Sequence, residues 1–122
     1  MQELTDHQQS SRRKIKEVLQ LLSSVEEQLE YQRNVPHVNI VGELICDWFD
    51  HSYWPDDKDF VSGFSEAESA ALSEFNAVFE HVVAPIRYAE LPQITSLVQT
   101  PEWTSITQTA KKTLSILEFL YR

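Results

Sequence analysis

Two glycines in 122 residues, Gly42 and Gly63, constrain this chain more than any other feature of it. Glycine takes positive φ without steric cost. A chain this poor in it has few places for type I′ hairpin turns, phosphate-cradling loops or the tight turns of dinucleotide-binding folds. Helices joined by short connections need far fewer such positions, so the expected class is all-α. With 42% apolar, 24% charged and 11% aromatic residues, the length suits one helical domain over 1–122 whose core is large enough to fold unaided.

Cap signals and apolar spacing divide that domain. Thr5-Asp6-His7-Gln8 has the form of a capping box, which opens a first helix expected over about 5–33. Ile15, Val18, Leu22, Val25 and Leu29 recur at spacings of three and four, with Leu19 and Leu21 widening the stripe. Ser23-Ser24 ahead of Glu27 is a place where this helix can break and restart. Asn34-Val35-Pro36 ends it, and a second helix over about 37–49 presents Val38, Val41, Ile45 and Trp48, with Leu44 and Phe49 alongside. Gly42, inside that helix, is expected to mark a close approach of another helix. Ser65-Glu66-Ala67-Glu68 is a second capping box. It begins a third helix over 65–84, with Ala71, Leu72, Phe75, Val78, Phe79 and Val82 inward and Pro85 as its stop. A short extra helix near 92–99 gathers Ile94, Leu97 and Val98. Thr100-Pro101-Glu102 then starts the last helix, over 101–121, with Trp103, Ile106, Ala110, Leu114, Leu117, Leu120 and Tyr121 on its face. The expectation is a compact bundle of four main helices and a long acidic, aromatic loop over 50–64. The first-helix stripe spans two heptads, which suits packing inside the bundle; pairing of two chains through that helix, as a homodimer, is the alternative.

The formal net charge of −9 is localised. Between Glu43 and Glu80 stand ten acids against the single base Lys58, while the rest of the chain balances. A negative field this concentrated repels phosphate backbones, so no nucleic-acid partner is expected; the cluster Arg12, Arg13, Lys14, Lys16 is small for such a role. No run approaches the roughly 18 apolar residues of a membrane span, so no membrane partner is expected either. One cysteine, Cys46, cannot form an internal disulfide, and the first six residues lack the basic-then-apolar order of a secretion signal. Together these predict a cytoplasmic protein.

Within the acidic third, Trp48, Phe49, Tyr53, Trp54, Phe60 and Phe64 supply six of the thirteen aromatic residues. Trp48, Phe49, Phe60 and Phe64 read as anchors pinning the loop to the core. Tyr53 and Trp54, set among Asp50, Asp56, Asp57 and Asp59, read as surface residues. An aromatic ring ringed by carboxylates suits an arginine or lysine of a partner, through cation–π contact and ion pairing. The favoured function is thus a noncatalytic binding module for a basic protein, of immunity or antitoxin type.

Chemistry finds less support. Asp47, Asp50 and His51 lie at i, i+3 and i+4 and are the weak candidates for a metal, yet three ligands from one helix end make an incomplete site, so neither metal nor other cofactor is expected. Asp57, Asp59 and Glu68 fall at positions 1, 3 and 12 of a calcium loop, but Val61 replaces a ligand and Ser62 the turn glycine. Cys46, beside Asp47, lacks the electropositive surroundings of a nucleophile. No serine sits in a nucleophile elbow. Glu27-x-x-Glu30, followed by Asp47-x-x-Asp50, resembles the acidic helix pairs that bind magnesium in all-helical nucleoside triphosphate pyrophosphohydrolases. That resemblance implies a magnesium-dependent nucleotide hydrolase using Glu30, Asp47 and Asp50 as the alternative function. The second pair begins with aspartate where that family has glutamate, and Glu27 sits about 140° round the helix from Leu22, towards water.

Overall fold

The computed structural model describes residues 3–120. It is all-α: seven helices and one 3-10 turn, with no strand among the described residues. They are α1 (Asp6–Leu22), α2 (Val25–Asn34), α3 (Ile40–Phe49), α4 (Lys58–Ser62), α5 (Glu66–Val83), α6 (Ile94–Leu97) and α7 (Pro101–Leu120), with the 3-10 turn at Tyr88–Glu90 before α6.

Where the cap signals are strong the expected boundaries hold to a residue or two. Both capping boxes close reciprocally, Thr5 with Gln8 and Ser65 with Glu68. Thr100 accepts from the Trp103 backbone N–H at 3.2 Å, and α7 begins at Pro101. The ends of the expected last-helix face, the Leu120 side chain and Tyr121, lie outside the described residues.

Three expectations are corrected. The first helix is two, because Ser24 caps a new start by accepting from the Glu27 N–H, and the chain turns at Ser23. The second begins at Ile40 rather than 37: Asn39 is its cap, and Gln32 takes the Ile40 N–H while donating to the Val35 and Val38 carbonyls. The 50–64 loop contains α4, whose first N–H groups are met by the Asp57 carboxylate.

Helix α7 packs along α5 on one side and α1 on the other, and α3 closes the core against α1. Trp48, Trp103, Phe75, Phe79, Ile15, Leu19, Leu22 and Leu44 are fully buried there. The α1 stripe Ile15, Val18, Leu19 and Leu22 is buried in this core. The nearest neighbours of Gly42 do not come from another α-helix. Tyr88 and Leu91, from the connection before α6, lie over it instead.

Polar side chains fasten the helices. Gln28 is fully buried; its Oε1 accepts from the Trp103 indole N–H at 2.8 Å, and its amide N–H groups donate to the Leu21 and Leu22 carbonyls at 2.9 and 3.1 Å. Arg12, expected as part of an exposed basic cluster, is buried. It grips both Glu68 carboxylate oxygens, at 2.9 and 2.7 Å, and the Gly63 carbonyl at 2.9 Å. One turn earlier, Gln8 donates to the Asp59 carbonyl and the Ser62 hydroxyl. These contacts lock α4 and the start of α5 onto α1.

Burial pushes the Glu68 carboxyl up, but hydrogen bonds from Arg12 and Ser65, together with the Arg12 charge, outweigh it and hold the group below its ordinary 4.5. The pair's contribution is therefore complete above that value and is lost as pH falls through the lower, folded one. Arg12→Met leaves a buried carboxylate with only the Ser65 hydrogen bonds to oppose burial, a change that costs about 3–5 kcal/mol at pH 7. Urea denaturation should show the gap from the parent chain narrowing at pH 4, where the orphaned Glu68 takes up a proton; an equal gap at both pH values would contradict this account.

The two glycines should respond oppositely to alanine. A Cβ on Gly42 would meet Leu91 Cδ1 at 3.4 Å and the Tyr88 hydroxyl at 3.5 Å, which is ordinary contact. Gly42→Ala should then stabilise by up to about 1 kcal/mol, since alanine is the better helix former. At Gly63 the Cβ would stand 3.2 Å from the Phe60 carbonyl and 3.3 Å from Gln8 Cβ, and Gln8 is held too firmly to yield. Gly63→Ala should lower the melting temperature.

Candidate functional site

The acidic surface is built outward from Trp48. This ring is fully buried, packs edge-on to Phe75, and donates its indole N–H to Asn76 of α5 at 3.0 Å. Helix α3 ends one residue later at Phe49, which lies 5.1 Å from Phe79 between ring centroids. The chain then turns back: Tyr53 donates its backbone N–H to the Trp48 carbonyl, and its ring stacks on Trp48 at 4.9 Å.

That stack corrects the reading of Tyr53 as a surface residue. Half-buried between Trp48 and Phe60, it belongs to the rim of the core. Its phenol is pushed up by burial, with the Ser73 hydroxyl opposing and the Asp56 charge adding to the shift. The next residue, Trp54, points outward and is 47% exposed. Its carbonyl accepts from the Asp57 N–H at 3.1 Å, a turn that sets Asp56 and Asp57 beside it. Phe60 and Phe64 anchor the segment as expected, at 5.0 Å from each other.

The proposed carboxylates differ in their freedom. Asp50 and Asp56 are exposed, and Asp57 is exposed although it caps α4. Asp59 lies 3.7 Å from the His7 imidazole and accepts from Gln8 at 3.4 Å. No lysine or arginine among the described residues pairs with these four. Elsewhere in the acidic third Arg12 neutralises Glu68 and Lys112 reaches Glu74 at 3.2 Å, while Arg13 and Lys111 stay exposed on their own helices.

A second acidic row lies on α3. Glu43 and Asp47 of α3 and its C-cap residue Asp50 fall at i, i+4 and i+7, on one side of that helix and its end. Burial pushes up the Cys46 thiol, and Asp50, Glu43 and Asp47 add to that shift, so the thiolate is disfavoured. Tyr31 of α2 is raised by burial and then by Glu43 and Asp47.

The i, i+3, i+4 convergence of Asp47, Asp50 and His51 needs helix through residue 51, but α3 stops at Phe49. Among the described residues no three His, Cys, Asp or Glu side chains group as metal ligands. Glu27 and Glu30 are exposed, and Glu30 pairs with Arg33. The α2 residue that senses Asp47 is Tyr31. No protein-family model matches the chain, no curated protein matches it, and no solved structure matches it. Among the described residues no helix is long and apolar enough to cross a membrane.

Asp47 supplies a test of this electrostatic description. Burial and then Glu43 raise its carboxyl above 3.8, against smaller pulls from His51 and Lys14. A carboxyl raised on folding opposes folding at any pH above its folded value and is neutral to stability below the unfolded one. Asp47→Asn should raise the melting temperature at pH 7, and thermal melts repeated below pH 3.8 should show the gain gone.

Proposed function

We propose that this protein is a noncatalytic binding module that docks a basic protein partner on the surface formed by Asp50, Trp54, Asp56, Asp57 and Asp59. The observation that carries the reading is Trp54: a large ring 47% exposed, next to a neighbour that turned inward, in a neighbourhood of carboxylates without lysine or arginine partners among the described residues. An indole face in a negative field is suited to a guanidinium or ammonium group, and flanking carboxylates add ion pairs. The chain's net charge of −9 would speed approach of a cationic partner, in the way an immunity or antitoxin protein covers the cationic site of a nuclease. A cytoplasmic setting, in keeping with the lone cysteine, is part of this proposal.

The probe is a fluorescein-labelled arginine-rich peptide of about ten residues, titrated at several salt concentrations. Trp54→Ala should weaken binding about tenfold, the loss of an aromatic hot spot. Combining Asp56→Asn, Asp57→Asn and Asp59→Asn keeps the α4 cap while removing three charges. That triple variant should weaken binding and flatten its salt dependence. Equal affinity of parent and variants at every salt concentration would rule the surface out.

A further inference from the structure

Trp48 binds Asn76, and Tyr53 faces Ser73, so the chain leading to Trp54 lies along one flank of α5. On the opposite flank α5 meets α7 across a concavity of about 530 Å³, walled by Ala77, Val78 and Val82 and bordered by Glu102 and Ser105. A second concavity of about 440 Å³ runs on through Ala77, Glu80 and Ala84 to Pro85. The outward side of α5 between these flanks carries Ser73, Ala77, Glu80, His81 and Ala84, all exposed. Small side chains at 73, 77 and 84 leave the helix backbone close to the surface, and the valines give the adjoining groove an apolar floor. Glu80 and Glu102 border it without a lysine or arginine partner among the described residues, and His81 lines both concavities.

We infer that the segment docked by this protein is a basic amphipathic helix, lying along α5 with its apolar face over Ala77, Val78 and Val82 and its cations reaching Glu80 and Glu102. The inference rests on the function proposed above and names the form its partner takes. Three features select this occupant. A flexible basic strand would satisfy the carboxylates but leave the apolar floor wet. An acidic or neutral helix would fill the floor against a field that repels or ignores it. Helix on helix is the packing that small residues along one ridge favour, because they permit a short interaxial distance. From Ala77 to Pro85 the face is about 12 Å long at 1.5 Å per residue, room for two turns of the bound helix.

Two labelled peptides of about 18 residues and identical Leu/Lys composition test this, one patterned at helical spacing and one scrambled so that no apolar face forms. Fluorescence anisotropy should give the patterned peptide at least about tenfold tighter binding, with a gain in helical circular dichroism. Ala77→Lys should abolish that preference without weakening the scrambled peptide. Glu80→Gln with Glu102→Gln, which preserve shape, should reduce it. Gln20→Lys on α1, adding the same charge to another exposed site, should leave it intact. Position 77 is exposed, so the Ala77→Lys chain should keep the parent's circular dichroism, and the shape-preserving pair supports the result if it does not. Equal binding of both peptides, sensitive to Trp54→Ala but not to Ala77→Lys, would overturn the inference and leave the proposed function standing. Absence of binding by either peptide at low salt would overturn both. Light scattering that shows a dimer, converted to monomer by Ala77→Lys, would assign the groove to a second copy and overturn the inference as well.

Discussion

Arg12 and Glu68 are far apart in sequence and both buried, and the acidic surface stands where it does because they meet. One carboxylate accepts the guanidinium through both oxygens and also receives the Ser65 N–H that closes the α5 capping box. The same guanidinium holds the Gly63 carbonyl. Helix α1, the junction after α4 and the first turn of α5 are thereby fixed by a single group of charge-assisted bonds. Desolvating two charges is costly, and what repays it is that the donors and acceptors satisfy one another in place. Gln8, four residues before Arg12 and so one turn along the same face, extends the attachment to α4. The segment that carries Asp57 and Asp59 is thus rigidly placed, while Trp54 is set by the Trp48–Tyr53 stack at its other end.

The scarcity of glycine shapes more than the fold class. Neither glycine takes a positive φ, so among the described residues no helix ends on a left-handed glycine cap. Terminal carbonyls still need donors, and side-chain amides supply some of them. Gln28 serves the last carbonyls of α1, Gln32 serves Val35 after α2, and Asn39 donates to Leu91 and Pro92 in the connection before α6. Each of these amides also accepts a hydrogen bond, from Trp103, Ile40 or Val41, so each joins a chain end to another element. Where a glycine cap would have finished a helix locally, these caps tie it to a neighbour.

Legibility follows from the range of the forces involved. Capping boxes, the prolines and the α5 and α7 stripes act within a few residues, and their spacing reveals them. Arg12, Gln8 and Gln28 occupy helical positions that composition marks as surface; their burial depends on partners about 50 to 75 residues away, which no local pattern displays. The helix α4 was hidden for a related reason. Five residues carry too little periodicity to register, and the turn is held by the Asp57 cap and by Gln8 from another helix. Tyr53 and Trp54 show the limit most sharply. Both are amphipathic aromatics in one acidic loop, and which of them turns inward is decided by the position of the Trp48 ring and the pocket edge at Phe60.

Charge placement narrows where a partner can gain most. The bases of α1 do not spread over the acidic third: Arg12 is consumed inside, and Lys14 bears on Asp47, which bounds the α3 row at that point. With a screening length of about 8 Å at physiological salt, that neutralisation stays local. Lys112 likewise answers Glu74 alone on the outward side of α5. Among the described residues Asp50, Asp56 and Asp57, and Glu80 and Glu102 at the α5–α7 groove, are carboxylates without a lysine or arginine partner. On the function proposed above, a cationic partner would be drawn in by the summed field and would meet an exposed indole on one flank of α5 and an apolar floor on the other. Charge provides orientation before contact, and the uncharged surfaces then provide the area that must be desolvated for the complex to persist.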